Sequence, residues 1–344
     1  MFNPNYTITH ALLENIKRIY SIVQGLNQRY FPHVVLVELQ RSAEAVSAYA
    51  STSIEGNPLP LTDVKAILKN EPKNVRDSER EVLNYNGVLK EINQRLSKGI
   101  IPITPHLILQ IHKKVTHKLL PPYLSGKLRA DPVYVNDPRA RRTIYWPPDA
   151  KDVPTLIHEL IRFIESNKNK IDPLILAGLF HKQMVIIHPF MDGNGRATRL
   201  LTKILLADMG LNTFNLFSFE NYYNQNVTKY FELVGVQGNY YDIAAKIDFT
   251  PWLEYFTGGI IDELLRVEKL LPQTSSSPQT ELRPYHNKIM EFIEQKGFIT
   301  DRDYAKLVDR ARQTRRLDFN KLIELGLILR QGKGKNTYYI LKNK

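Results

Sequence analysis

Cysteine is missing from all 344 residues. A disulfide scaffold is therefore excluded, and the chain suits a reducing compartment such as the cytoplasm. No apolar run reaches the ~18 residues that a membrane-spanning helix needs, so no membrane partner is expected. The start, Met1-Phe2-Asn3-Pro4-Asn5, lacks a basic stretch leading into an apolar one, so no signal peptide is expected. A cytoplasmic location follows as the expectation. Acidic residues are also in deficit: 35 Asp and Glu face 47 Lys and Arg, leaving a net charge of +12. That balance favours an acidic partner such as a nucleotide or nucleic acid. The length suggests two or three domains with ample material for a core.

What is present concentrates in residues 188–199, His-Pro-Phe-Met-Asp-Gly-Asn-Gly-Arg-Ala-Thr-Arg. Apolar residues flank the string. Leu174, Ile175, Leu176, Leu179, Met184, Ile186 and Ile187 precede it; Leu200, Leu201, Ile204, Leu205 and Leu206 follow at helical spacing. The pattern predicts a loop between two buried helices. Gly193 and Gly195 let backbone amides approach a ligand closely. They stand where the second helix begins, and a helix N-terminus attracts anions. Arg196 and Arg199 share a face of the first turn, and two guanidinium forks suit a polyphosphate. Asp192 is a hard oxygen ligand, fit for a Mg²⁺ that also touches phosphates. His188 can exchange a proton near neutral pH. A base, a metal ligand and a phosphate cradle make a phosphoryl- or nucleotidyl-transfer site. Taken singly, a histidine before proline is more often structural and Gly-Asn-Gly is more often a turn. A zinc pair of His188 and Asp192 lacks further His or Cys ligands at suitable spacing.

The string resembles the signature of Fic-domain proteins, His-Pro-Phe-x-Asp-Gly-Asn-Gly-Arg-x-x-Arg, and matches every defined position. The resemblance implies transfer of AMP from ATP to a Ser, Thr or Tyr hydroxyl of a target protein, the chain itself included. By it, His188 is the general base and Asp192 holds Mg²⁺. Asn194, Arg196 and the backbone at Gly193 and Gly195 hold the α- and β-phosphates, and Arg199 the γ-phosphate. The related Doc kinases carry lysine in place of the second glycine. Gly195 is intact, which favours nucleotidyl transfer.

A second piece, Ser51-Thr52-Ser53-Ile54-Glu55-Gly56-Asn57, closes a helix expected from about Pro32 to Ile54. Ser51 and Glu55 are four apart and share a face, and Gly56 is a natural helix stop. On its own this is a helix end with a solvated glutamate. It also resembles the inhibitory motif of Fic proteins, Ser/Thr-x-x-x-Glu-Gly/Asn. That resemblance implies an inhibitory helix over about 38–56 in which Glu55 pairs with Arg199 and denies it to the γ-phosphate.

Residues 123–148 differ in kind. Val133-Tyr134-Val135 and Thr143-Ile144-Tyr145 read as short strands around the turn Asn136-Asp137-Pro138. A surface hairpin leaves an open edge, and an extended peptide can pair with such an edge. In Fic proteins a comparable hairpin, the flap, aligns the target hydroxyl, so a flap is expected at 126–148. Elsewhere the pattern is helical. Thr62-Asp63 opens one helix, Glu79–Leu96 forms another, and Thr104 caps a helix from Pro105. Further helices are expected from Val153 to Asn167 and from Asp172-Pro173 into the motif. Residues 217–223 begin a helix that carries Asn226 and Tyr230. Resemblance places part of an adenine pocket there, on Tyr222, Tyr223 or Asn226; core packing accounts for these tyrosines nearly as well. His158 and His181 read as structural.

Residues 272–284 have the composition of a linker. Three short helices follow, the third with Leu317, Phe319, Leu322 and Ile323 packing. A basic strand–loop–strand around Gly332-Lys333-Gly334-Lys335 completes the unit. From residue 280 onward, 15 Lys and Arg against 8 Asp and Glu leave +7. The arrangement resembles a winged helix-turn-helix. Arg310, Arg312, Arg315 and Arg316 would begin its recognition helix, with Lys333 and Lys335 on the wing, toward a DNA or protein partner.

The expected fold is mainly α: a Fic-type helical bundle with a β-hairpin flap, plus a small C-terminal winged helix-turn-helix domain. The expected division is an N-terminal helical region at 1–100, a catalytic core at 101–271, a linker at 272–284 and the terminal domain at 285–344. The expected activity is autoinhibited protein adenylyltransfer, with ATP and a target protein as partners. Alternatives are removal of AMP from a modified protein, with Glu55 positioning water, and a DNA-binding regulator whose Fic activity is secondary. The oligomeric state, homo-oligomer included, is left open.

Overall fold

The computed structural model describes residues 2–28, 33–137, 142–208, 215–275 and 282–342. Two compact units emerge: residues 1–28 with 43–267, and residues 29–42 with 268–344. The N-terminal helical region and the expected catalytic core therefore fall largely in one unit. Among the described residues the chain is mainly α, as expected, with 15 helices and five short strands.

The first unit opens with α1 (His10–Asn27) and the C-terminal part of α2 (His33–Ser53). Next come α3 (Leu61–Lys69), α4 (Asp77–Leu96) and α5 (Pro105–Val115). Thr104 caps α5, its hydroxyl accepting from the Leu107 amide at 3.1 Å. Strands β1 (Val135–Asp137) and β2 (Arg142–Trp146) form an antiparallel hairpin. Helices α6 (Val153–Asn167), α7 (Pro173–Ile187) and α8 (Asn194–Asp208) follow.

Helix α7 is the centre. Almost every one of its side chains is buried, the mark of an interior helix. Asp172 caps it, worth ~1 kcal/mol. Leu174, Leu176, Leu179, Phe180, Met184 and Ile187 are fully buried, each contributing about 1.5–3 kcal/mol. Packing, not capping, thus fixes α7. It packs against α6 and α8, and α8 in turn against α4 and α5. The loop between α7 and α8 is residues 188–193.

After α8 come α9 (Phe219–Gln225) and α10 (Val227–Val234). One continuous helix was expected here. It breaks at Asn226, whose side chain accepts from the Lys229 amide at 3.0 Å and starts α10; asparagine competes well with helical bonding in this way. Strand β3 (Gly238–Asn239) pairs with β2 in parallel, giving the order β1-β2-β3. Among the described residues, β3 covers β2 only at Tyr145 and Trp146, and β1 forms the outer edge of the sheet on the other side. Asn136 and Asp137 lie in β1 rather than in the turn, and the tip at 138–141 lies outside the described residues. Short α11 (Tyr240–Ile243) leads to α12 (Thr250–Ser275).

Two other boundaries move. Helix α3 starts at Leu61 after Pro60, so Thr62 and Asp63 sit in its first turn. Helix α12 runs to Ser275, so the expected linker is helical at 272–275, and 276–281 lie outside the described residues. Extending a formed helix is far easier than nucleating one, so a last turn of poor helix formers is tolerated.

The second unit holds α13 (Pro284–Lys296), α14 (Asp301–Leu307), α15 (Arg312–Glu324) and the antiparallel pair β4 (Ile328–Gln331) and β5 (Tyr338–Leu341). Ile289, Ile293, Ile299, Tyr304, Phe319, Leu322, Ile328 and Tyr339 make its core. Thr300 caps α14. Leu317, expected to pack, is 65% exposed, because α15 turns that position outward.

Candidate active site

The end of α7 sets His188. His188 closes the helix in the left-handed region, φ 48° and ψ 61°, a conformation that a non-glycine residue holds only when its surroundings enforce it. Its Nδ1 lies 3.2 Å from the Val185 carbonyl. A carbonyl only accepts, so Nδ1 carries the hydrogen and the lone pair of the neutral ring falls on Nε2. Burial lowers the His188 pKa, ahead of the neighbouring charges of Glu55, Arg129 and Asp192. The ring is thus neutral at pH 7 and keeps partial exposure.

The loop is fixed from within and from below. The Asn194 side chain accepts from the Phe190 amide and donates to the Phe190 carbonyl, both at 2.9 Å. The Asn194 side chain thus staples the loop. Gly193 has φ +79°, and a methyl there would press on Thr116 at 2.9 Å. Beneath, His112 stacks on Phe190 with centroids 3.7 Å apart. The Gly126 amide donates to its Nδ1 at 2.9 Å, so Nε2 carries hydrogen and donates to the Asp192 carbonyl at 2.9 Å. Helix α8 starts at Asn194, and the first-turn amides of a helix have no helical acceptor.

Both motif arginines are buried and tied. Arg196 pairs with Glu81 at 2.7 Å and with Asp192 at 2.9 Å. Glu81 also accepts from Asn57 at 2.6 Å. Burial pushes the Glu81 carboxyl above its ordinary range, against the pull of Arg196. Arg199 is fully buried. It donates to the Ser51 hydroxyl, the Ser51 carbonyl and Glu55 Oε1, each at 2.7 Å. Burial alone would weaken its charge, but Glu55 beside it turns the balance and raises the pKa. The same Glu55 oxygen stands over Gly195: a methyl there would overlap it. Helix α2 ends at Ser53, short of the expected 54–56, and the turn that follows it brings the Glu55 carboxylate to the place where the second glycine leaves α8 bare.

The Asp192 side chain is 57% exposed. Among the described residues no group of three or more His, Cys, Asp or Glu could hold a metal ion. A lone, accessible carboxylate fits Mg²⁺, which keeps waters and shares phosphate oxygens, and does not fit a protein-caged ion.

The adenine candidates fare differently. Tyr223 is fully buried and stacks on Tyr230 at 4.6 Å. It is a core residue with no face for a base, which corrects that expectation. Asn226 caps α10, so its side-chain oxygen is engaged. Tyr222 is partly exposed and lies 5.2 Å from Tyr255. His181, fully buried between Tyr230 and Thr202, is structural.

Four contributors escaped the sequence reading: Glu81, Asn57, His112 and Arg129. His112 left a trace, since it falls on the apolar face with Ile108, Ile111 and Val115. Glu81 and Asn57 left none, because an ion pair between helices and a hydrogen bond from a loop amide have no local period. Arg129 stood in plain view at the hairpin's start, but nothing in its neighbours shows where it points.

Residues 102–206 match the model of the Fic/DOC family, so the chain carries a Fic domain. Curated relatives are named protein adenylyltransferase Fic. The Drosophila erecta protein is 30% identical over 218 residues, 58% of this chain and 42% of the relative. The Aedes aegypti protein is 29% identical over 228 residues, 60% of this chain and 43% of the relative. The chain thus spans less than half the length of these relatives. Among solved structures, a Fic family protein from Desulfovibrio desulfuricans is similar with a TM-score of 0.67 at 21% identity, covering 100% of this chain and 99% of that one. A Fic-domain signaling protein from Bacteroides thetaiotaomicron has a TM-score of 0.62 at 23% identity, covering 75% and 98%. The fold is that of Fic proteins.

Proposed function

We propose that this chain is a protein adenylyltransferase that moves AMP from ATP to a Ser, Thr or Tyr hydroxyl of a protein, and that Glu55 restrains it. The observation that carries the reading is the shared position of Glu55. One carboxylate oxygen both ties Arg199 and covers Gly195, so a polyphosphate on this helix start must displace it. Relatives named adenylyltransferase support the chemistry.

In the reaction, His188 Nε2 takes the proton of the acceptor hydroxyl. The oxygen attacks the α-phosphorus of ATP, the bond to the bridging oxygen breaks, and pyrophosphate leaves. Arg196, Arg199 and the amides of 193–195 hold the phosphates. Asp192 would hold Mg²⁺, which neutralises phosphate charge when bound. The outer β1 edge receives the target segment as an added strand. Arg196 must turn from Glu81, and Arg199 from Glu55, as nucleotide enters.

Mass spectrometry of lysate proteins after incubation with the Glu55→Gly chain and labelled nucleotides tests this. A mass increase of one AMP on a hydroxyl residue is expected. No nucleotidyl adduct would refute it, and loss of AMP from a pre-modified protein would favour the reverse activity.

For the second unit we propose a winged helix-turn-helix that contacts nucleic acid. Arg312 and Arg316 are exposed on α15, and Lys333 on the β4–β5 turn. Arg310 and Arg315 are not available as expected: Arg310 pairs with Asp318 and Arg315 with Asp301.

A further inference from the structure

Arg129 stands at the entry to the hairpin and is 4% exposed. Its Nε donates to the His188 carbonyl at 2.8 Å. The rest of the fork donates to the carbonyls of Asp131 at 3.3 Å, Ile187 at 3.4 Å and Pro148. Its own amide donates to the Pro189 carbonyl at 3.0 Å. From β2, the Tyr145 hydroxyl donates to the Ile186 carbonyl at 2.8 Å. The carbonyls of residues 186 to 189, at the end of α7, are therefore all taken by the two ends of the hairpin.

Among the described residues, every hydrogen bond of this guanidinium ends on a backbone carbonyl. A buried cation without a carboxylate partner is a costly arrangement. Placed at a helix C-terminus, its charge meets the negative end of the dipole. The planar fork spans carbonyls from both strands' roots and from the base residue at once, which an ammonium cannot do. The contact also falls on the one residue of the loop that must hold φ 48°.

We infer that Arg129 is a positioning residue: it locks the backbone of His188 to both roots of the hairpin, so that the base and a strand-bound target hydroxyl keep a fixed spacing. Arg129 touches neither nucleotide nor acceptor. Losing it frees the left-handed turn to relax, and the ring then leaves the Val185 carbonyl that sets its tautomer. The inference rests on the adenylyl-transfer reading only for its kinetic consequence.

The test places Arg129→Lys and Arg129→Met in the full-length Glu55→Gly chain. Labelled AMP incorporation gives kcat and the KM for ATP, and ¹⁵N-resolved NMR gives the His188 tautomer. The expected kcat loss is at least tenfold in both variants, with KM within threefold. The ring nitrogens should shift from one Nδ1–H tautomer toward a mixture, less in Lys than in Met. If Met fails to fold, Lys, which keeps stem and charge, decides alone. Unchanged kcat, or a fall in kcat matched by a rise in KM with the tautomer intact, overturns the role. If the parent Glu55→Gly chain transfers no label, the enzymatic reading falls. The tautomer then decides for Arg129 by itself, and a single tautomer in the variants overturns it.

Discussion

His181 lies within α7 and His188 caps its end seven residues on, yet their surroundings separate them. His181 has both ring nitrogens occupied, by Tyr230 and Thr202. His188 has one nitrogen spent on Val185 and keeps some exposure. Replacing His188 with Ala in the Glu55→Gly chain should abolish transfer while ATP affinity, read by calorimetry, stays within about threefold; turnover above background would remove it from the base role. For His181, burial lowers the pKa well below the ordinary value. Below pH ~6.5 the unfolded chain protonates this group and the folded chain does not, so stability falls as pH falls through that window. One pH unit into the window, at pH 5.5, the loss is about 1.4 kcal/mol. Urea unfolding at pH 7 and pH 5.5 should show His181→Gln losing less than the parent by roughly that amount; equal losses would contradict it. The motif residues were legible because glycine, arginine and histidine in a fixed string constrain chemistry directly. The burial of Tyr223 and the loop staple made by Asn194 were not legible, because a side chain's direction depends on packing that no short string encodes.

Two side chains at the end of α2, Ser51 in its last turn and Glu55 in the turn just beyond it, meet Arg199. Ser51 accepts from Arg199 Nε, and Glu55 takes its terminal nitrogen. A hydrogen bond to a charged group contributes roughly 1.5–3 kcal/mol. Ser51→Ala should therefore loosen the restraint and raise basal transfer severalfold, but less than Glu55→Gly, as measured by labelled AMP incorporation. A rate equal to wild type would show that the Ser51 contact does not restrain Arg199. Helix existence and placement were largely readable from apolar spacing, as α6 at Val153–Asn167 illustrates. The breaks were harder to see. Asn226 divides α9 from α10 by capping, and Asn136 and Asp137 joined a strand despite their turn chemistry. In each case a polar side chain had two local options: Asn226 took the cap of α10, and Asn136 and Asp137 took the pairing with β2.

The whole molecule joins a Fic-fold unit to a small basic one, and the similarity to the Desulfovibrio structure runs along the full chain. The terminal unit separates two kinds of arginine that look alike in sequence. Arg310 stacks on Tyr285 and pairs with buried Asp318. Arg310→Ala should therefore destabilise this unit, because the buried Asp318 carboxylate loses its cation. Replacing both Arg312 and Arg316 with Ala should leave stability alone, weaken duplex DNA binding and lower its salt slope by about two. A shift assay at several salt concentrations checks this; unaltered binding would assign the basic face to another partner. The account as a whole depends on the Glu55 carboxylate that ties Arg199 and covers Gly195. Its most direct test compares labelled AMP transfer by the wild-type, Glu55→Gly and Glu55→Gly/His188→Ala chains under identical conditions. The prediction is a rise of at least tenfold in the first variant and a return to background in the second. Equal rates in all three chains would contradict it.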